Sequence, residues 1–173
     1  MNTRNLVIIS LLVGIGAVLH VIIPPILFGM KPDMLLAMMF LGILLFPKPK
    51  YVLAIALLTG VISALTTGAP GGQIANFIDK PITAFVFFGL LLLMDKLISR
   101  TISAPILTAV GTIVSGSVFL FVALFILGLM EGGFMTLLLT IVLPAAGMNT
   151  VGMIVIYPIV QGILKRSDPI TLT

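Results

Sequence analysis

The sequence predicts an all-α integral membrane protein of six transmembrane helices, and three observations carry that expectation. Of 173 residues, 60% are hydrophobic and 8% charged, whereas a soluble domain carries about 25% charged residues. Uncharged apolar runs recur along the whole chain instead of forming one anchor, and no soluble-looking stretch is long enough to hold a core of its own. Continuous runs such as Leu90-Leu91-Leu92-Leu93 do not alternate, as the roughly ten-residue strands of a membrane barrel must. Hydrocarbon leaves backbone groups only helices or closed barrels in which to pair, so these runs read as helices.

Charges and prolines punctuate the runs. The first span covers about 6–23 and ends at Pro24-Pro25, which cannot continue a helix. The second covers about 32–46 and stops at Pro47-Lys48-Pro49-Lys50. The third takes 51–67, and the fourth, placed after a long polar loop, starts at Pro81 and runs to 98. Between Arg100 and Lys165 the only charge is Glu131, so that stretch holds two spans, about 104–129 and 144–164. Residues 134–143 are apolar but too few to cross, and they read as an outer interfacial or re-entrant helix. The second and fourth spans are shorter than the about 20 residues a crossing needs, which local thinning and snorkelling of Lys96 accommodate.

Basic residues set the orientation. With both termini cytoplasmic, Arg4, Lys48, Lys50, Lys96, Arg100, Lys165 and Arg166 fall inside, and only Lys31 and Lys80 fall outside, as the positive-inside bias requires. The head of the chain resembles a signal sequence, but Pro24-Pro25 stands where small-residue cleavage chemistry would, so the first span is read as retained. The net charge of +4 therefore reports topology and not nucleic-acid binding.

Chemistry is excluded more readily than assigned. Without cysteine there is no thiolate nucleophile and no cysteine-based metal or redox site. No G-x-S-x-G, H-E-x-x-H or G-x-x-x-x-G-K-[ST] occurs, and His20 is the sole histidine, so neither an enzyme, a resident metal nor a self-sufficient ATPase is expected. All charged side chains fall in expected loops or at span ends. Sodium coupling through carbonyl oxygens stays open, because it needs no charge.

Polar groups gather at the expected outer ends. Asp33 and Asp79 stand beside prolines at helix starts, where a carboxylate either caps free N–H groups or meets a ligand. Lys31 and Lys80 are snorkelling anchors or ligand contacts. Asn149, about a turn and a half into the sixth span, needs a partner, since an unpaired buried amide costs about 2–7 kcal/mol; helix packing and ligand contact are both open. His20 is a packing residue or a ligand, and Phe77 and Phe85 face lipid or wall an aromatic pocket. Ser10, Gly14 and Ala17 recur at i, i+4 and i+7, a small-residue face along which another helix can approach.

Several of these segments resemble a known family. Met30-Lys31-Pro32-Asp33-Met34-Leu35-Leu36-Ala37-Met38-Met39-Phe40, Ile62-Ser63-Ala64-Leu65-Thr66-Thr67, Gly72-Gln73-Ile74-Ala75-Asn76-Phe77-Ile78-Asp79-Lys80-Pro81, Val142-Leu143-Pro144-Ala145-Ala146 and Ile156-Tyr157-Pro158-Ile159-Val160-Gln161 look like the bacterial tryptophan transport protein family. That resemblance implies a substrate-binding S component of an energy-coupling factor transporter, located in the bacterial plasma membrane. It implies an S-component-like bundle, L-tryptophan as ligand, and a membrane T component with two cytosolic ATPase subunits as partners. The family's first-helix docking motif is alanine-x-x-x-alanine, and here Ser10, Gly14 and Ala17 stand nearest to it.

Under that reading the outer segments close over one tryptophan. Asp79 or Asp33 meets the ammonium; Lys80, helix-start N–H groups and Asn149 meet the carboxylate. Phe77, Phe85 or methionines wall the indole, and Gln73, Asn76 or Asn149 accepts from its N–H. Two rival readings are an autonomous sodium-coupled transporter and a non-transport membrane assembly module.

Overall fold

The computed structural model describes residues 2–24 and 32–166. Lys31 lies outside them. Among the described residues six helices form an all-helical bundle: α1 Thr3–Ile22, α2 Met34–Leu45, α3 Pro49–Thr66, α4 Gly72–Met94, α5 Arg100–Ile126 and α6 from Phe134 to Arg166. All but α2 are long and apolar enough to cross a membrane.

α2 is the axis of the bundle. Its sequence, Met-Leu-Leu-Ala-Met-Met-Phe-Leu-Gly-Ile-Leu-Leu, is apolar on every side, and all twelve residues are buried. A helix apolar all round seeks enclosure, and here α1, α3, α4, α5 and α6 all pack on it. Twelve residues make a rod of about 18 Å, short of the about 30 Å hydrocarbon core, but a helix wrapped in protein need not match the bilayer. Protein groups satisfy its ends. Asp33 caps the first turn by accepting from the Leu36 N–H at 3.0 Å, and Arg100 donates from Nη1 to the Leu44 carbonyl at 3.1 Å while its other nitrogens grip Asp95.

Three expected boundaries are corrected. First, α4 starts at Gly72 and ends at Met94, not 81–98. Ala69-Pro70-Gly71-Gly72 forms a tight turn in which the Gly72 N–H donates to the Ala69 carbonyl at 3.0 Å and Gly71 adopts φ 71°. Proline second and a positive-φ glycine third are the type II pattern, and the turn launches the helix at once. Pro81 then sits inside α4, where it costs a ladder bond without ending the helix. Second, α5 spans Arg100–Ile126, not 104–129, and its last turn, Val122–Ile126, is π-helical. Third, residues 134–143 are no separate interfacial or re-entrant helix: Phe134–Leu164 is one continuous apolar span. A π turn at Leu138–Val142 joins its two parts, so Pro144 follows a place where the ladder register has already shifted.

Helix packing relies on close approach. The rings of Phe40 on α2 and Phe87 on α4 stack with centroids 4.3 Å apart and planes 6° from parallel, and they lie on the bare backbone of Gly111 in α5. A Cβ at Gly111 would stand 2.7 Å from Phe40 Cζ and 2.9 Å from Phe87 Cδ2. Gly111→Ala is therefore expected to cost about 1–3 kcal/mol by overpacking, more than the about 1 kcal/mol that helix propensity returns. Thermal unfolding in detergent should show a lowered midpoint for it and none for Gly89→Ala, where a Cβ meets nothing within 4 Å.

Candidate functional site

At one end of the bundle, where α1 and α3 finish and α2, α4 and α6 begin, the helices enclose a cavity of about 460 Å³, a size suited to a small organic ligand. His20, Asp33, Asn76 and Lys80 line it together with the hydroxyl residues Ser63, Thr66, Thr67, Thr112 and Ser115. Leu36, Phe119, Leu120, Met130, Ile141 and Val142 supply apolar wall. The Ala69–Gly72 turn closes toward the α5–α6 connection, since a Cβ on Gly71 would lie 3.2 Å from both Leu127 Cδ1 and Leu129 Cβ.

The expectation that every charge sits in a loop or at a span end fails at Asp79 and Lys80. They lie two turns inside α4, with 0% and 2% of their surface exposed. Neighbours in a helix point in different directions, yet the flexible lysine stem returns its ammonium to Asp79 Oδ2 at 2.8 Å. Ser115 on α5 ties the pair down: its hydroxyl donates to Asp79 Oδ2 at 2.7 Å and accepts from Lys80 Nζ at 3.2 Å. Thr83, one turn along α4, donates to Asp79 Oδ1 at 2.7 Å. Asp79 is therefore not at a helix start as expected, and it is not among the residues that line the cavity. It stands behind the cavity wall and its oxygens already accept from three donors.

Lys80 also reaches the cap of α2. Its ammonium is 3.5 Å from Asp33 Oδ2, and His20 Nδ1 on α1 is 3.4 Å from Asp33 Oδ1. Four ionisable groups from three segments thus form one chain, His20, Asp33, Lys80 and Asp79. With His20 neutral the chain holds one net negative charge, and its Asp33–Lys80 link borders the cavity.

The remaining expected residues divide cleanly. Asn76 lines the cavity and donates through Nδ2 to the Gly72 carbonyl at 2.9 Å. Asn149 is fully buried behind the lining, its Nδ2 donating to Thr112 Oγ1 at 3.3 Å. Gln73, Phe77 and Phe85 are not brought to the cavity: all three are exposed on the outer side of α4, Phe77 by 51% and Phe85 by 43%. Helical periodicity explains this, because Asn76, Asp79, Lys80, Thr83 and Phe87 occupy the inward face once α4 begins at Gly72. The aromatic ring among the cavity-lining residues is that of Phe119 on α5. On α1 the packed face is Ile9, Leu12, Val13 and Gly16, while Ser10 and Gly14 are exposed and Ala17 is half-buried.

Sequence reading missed the α5 hydroxyls, although a signal was present. Thr108, Thr112 and Ser115 recur at i, i+4 and i+7, one polar stripe on an apolar helix, and all three are buried. The first two return their protons to carbonyls one turn back, Ala104 and Thr108, at 2.8 Å each.

Removing one member of a buried ion pair strands the other and costs about 3–5 kcal/mol. Asp79→Ala is expected to destabilise the detergent-solubilised chain by that amount. The double variant Asp79→Ala/Lys80→Met should recover part of the loss, and chemical unfolding of the four combinations measures both.

Comparison with known proteins places the chain. The family model of the tryptophan transporter TrpP matches residues 2–165. A probable tryptophan transport protein of Bacillus subtilis (strain 168) is 60% identical over 168 residues, covering 97% of this chain and 96% of that protein. A probable tryptophan transport protein of Clostridium acetobutylicum is 47% identical over 87% of this chain and 88% of its own, and one of Clostridium perfringens is 37% identical over 96% of each. No solved structure matches. These relatives are named as transporters and not as enzymes, and the apolar helices make this chain a multi-pass protein of the bacterial plasma membrane. A match over nearly the whole length, with relatives this similar, means that the chain belongs to the tryptophan transporter TrpP family.

Proposed function

We propose that this chain binds one L-tryptophan in the cavity and serves as the substrate-binding S component of an energy-coupling factor transporter. One observation carries the binding half: an ion pair, Asp33 with Lys80, borders a cavity whose other walls are largely apolar. An amino-acid zwitterion needs both signs met once water leaves. The Asp33–Lys80 contact at 3.5 Å is looser than the Lys80–Asp79 contact at 2.8 Å, so the zwitterion inserts at the looser link, its ammonium on Asp33 and its carboxylate on Lys80. Asp79 and Ser115 hold the Lys80 ammonium in place as this happens. The indole lies among Leu36, Phe119, Leu120 and Val142, which favour a flat apolar ring.

The partner half rests on what the chain lacks and on what it exposes. No phosphate-binding loop occurs in the sequence, so uptake against a gradient draws its energy from elsewhere. The Ser10, Gly14 and Ala17 face of α1 turns away from the bundle, with nothing within 4 Å of a Cβ at Gly14, which leaves room for a T-component helix to approach closely. With both termini cytoplasmic the cavity opens at the outer face. Two cytosolic ATPase subunits then complete the complex, and toppling of the chain in the membrane releases substrate inside.

Because the chain contains no tryptophan, the emission of added L-tryptophan reports binding directly. A saturable blue shift is expected in detergent. Lys80→Met and Asp33→Asn should each weaken it roughly 10- to 100-fold, the worth of a charge-assisted hydrogen bond. Unchanged affinity in both variants overturns the pocket.

Liposomes separate the transport readings. The chain alone under a sodium gradient is expected to accumulate no tryptophan, and to do so once the T component, both ATPases and ATP are supplied. Accumulation by the chain alone would establish the autonomous sodium-coupled transporter instead. Specific co-purification of partners with no ligand binding would establish the assembly module.

A further inference from the structure

We infer that Val142 on α6, seated on the bare backbone of Gly116 on α5, gauges the size of the ring that the cavity admits; the inference rests on the tryptophan reading above and deepens it. Both residues line the cavity. On α5 the lining positions Thr112, Ser115, Gly116, Phe119 and Leu120 fall at i, i+3, i+4, i+7 and i+8, which is one face of a helix. The middle position of that face carries no side chain. Glycine is a poor helix former, so its place there has a packing cause, and the cause is on α6.

A Cβ at Gly116 would stand 2.4 and 2.5 Å from the two Cγ atoms of Val142 and 3.0 Å from its Cβ. The isopropyl group therefore fills the space that a side chain at 116 would occupy. Val142 is only 4% exposed, and the open volume beside it is the cavity. A β-branched side chain holds one preferred χ1 rotamer in a helix, so this stretch of wall does not adapt to what it meets. Val142 also closes the π turn Leu138–Val142, a kind of helix irregularity frequent at functional sites.

The gauge stands at a fixed place relative to the charges. Ser115, next to Gly116 in the chain, accepts from Lys80 Nζ at 3.2 Å, and Lys80 faces Asp33 at 3.5 Å. A zwitterion held at that link is tethered at one end, and its ring then meets the stiff wall where α6 touches α5. Such a site selects by the outline of the ring, since one methylene too many or too few in a hydrophobic pocket changes affinity about 10- to 200-fold. A methyl added at Gly116 pushes Val142 toward the cavity and narrows the slot. Trimming Val142 to alanine widens it.

The test compares L-tryptophan with its isomeric derivatives that carry one methyl on the six-membered ring, measured on the full chain in detergent by indole emission and calorimetry. The unaltered chain should bind at least one methyl isomer about 10- to 200-fold more weakly than tryptophan, and Val142→Ala should bring that isomer within about threefold of it. Gly116→Ala should lower tryptophan affinity about tenfold or more. Gly116→Ala/Val142→Ala removes the two close Cγ atoms and should restore it, and Val142→Ala carries the test should Gly116→Ala not fold. A ratio between two ligands does not depend on how much of the chain is folded, so a merely structural role for Val142 leaves it unmoved. Methyl isomers bound as tightly as tryptophan by the unaltered chain, or a discrimination that Val142→Ala leaves in place, overturns the gauge and leaves the tryptophan reading standing. Binding of neither tryptophan nor any isomer by the unaltered chain overturns both.

Discussion

The organising constraint in this bundle is the burial of Asp79 and Lys80 within α4. Taking two charges out of water is expensive unless each is paired and the remaining lone pairs and protons are satisfied. Ser115 and Thr83 meet that demand at 2.7 Å each, and they come from α5 and from the next turn of α4. The rotation of α4 and its register against α5 are therefore set together. Because Lys80 also faces Asp33, the same network reaches the start of α2, and through His20 it reaches the end of α1. One polar knot joins four of the six helices at the end where the cavity opens.

A short central helix makes the knot possible. α2 is enclosed on all sides, so its capping carboxylate lies below the rim of the longer helices that surround it. A carboxylate at that depth in lipid would be costly; inside the bundle it faces a lysine and a histidine. At its other end the Arg100 guanidinium serves both Asp95 and the Leu44 carbonyl. Both ends of the axis are thus held by charged groups while its length is purely apolar.

Much of the fold is legible in residues alone. Six apolar runs, bounded by charges and by Pro24-Pro25 and Pro47, correspond to six helices because hydrocarbon permits only self-satisfied backbone. Boundaries suffer where proline has two meanings. Pro81 and Pro144 read as helix starts, yet both lie within helices: the first follows a helix already launched by the Pro70-Gly71 turn, and the second follows a π turn. The turn had a local signature. The π turns at Val122–Ile126 and Leu138–Val142 had none.

For the site, residue type was legible and direction was not. Asp33, Asn76, Lys80, Asn149 and His20 stand out because polar groups in an apolar chain must find partners, and the fold draws all five to one end of the bundle. Gln73, Phe77 and Phe85 stand out equally, but face outward once α4 begins nine residues before Pro81. Composition and charge spacing by themselves determined that this is a multi-helix membrane protein. Tertiary structure alone decided that Asp79 pairs with Lys80 behind the cavity wall, that Ser115 from another helix completes the pair, and that one oxygen of Asn149 has no hydrogen-bond partner among the described residues. Those outcomes depend on which helix faces lie opposite one another, and side-chain pairing between segments 35 or more residues apart is set by packing rather than by local pattern.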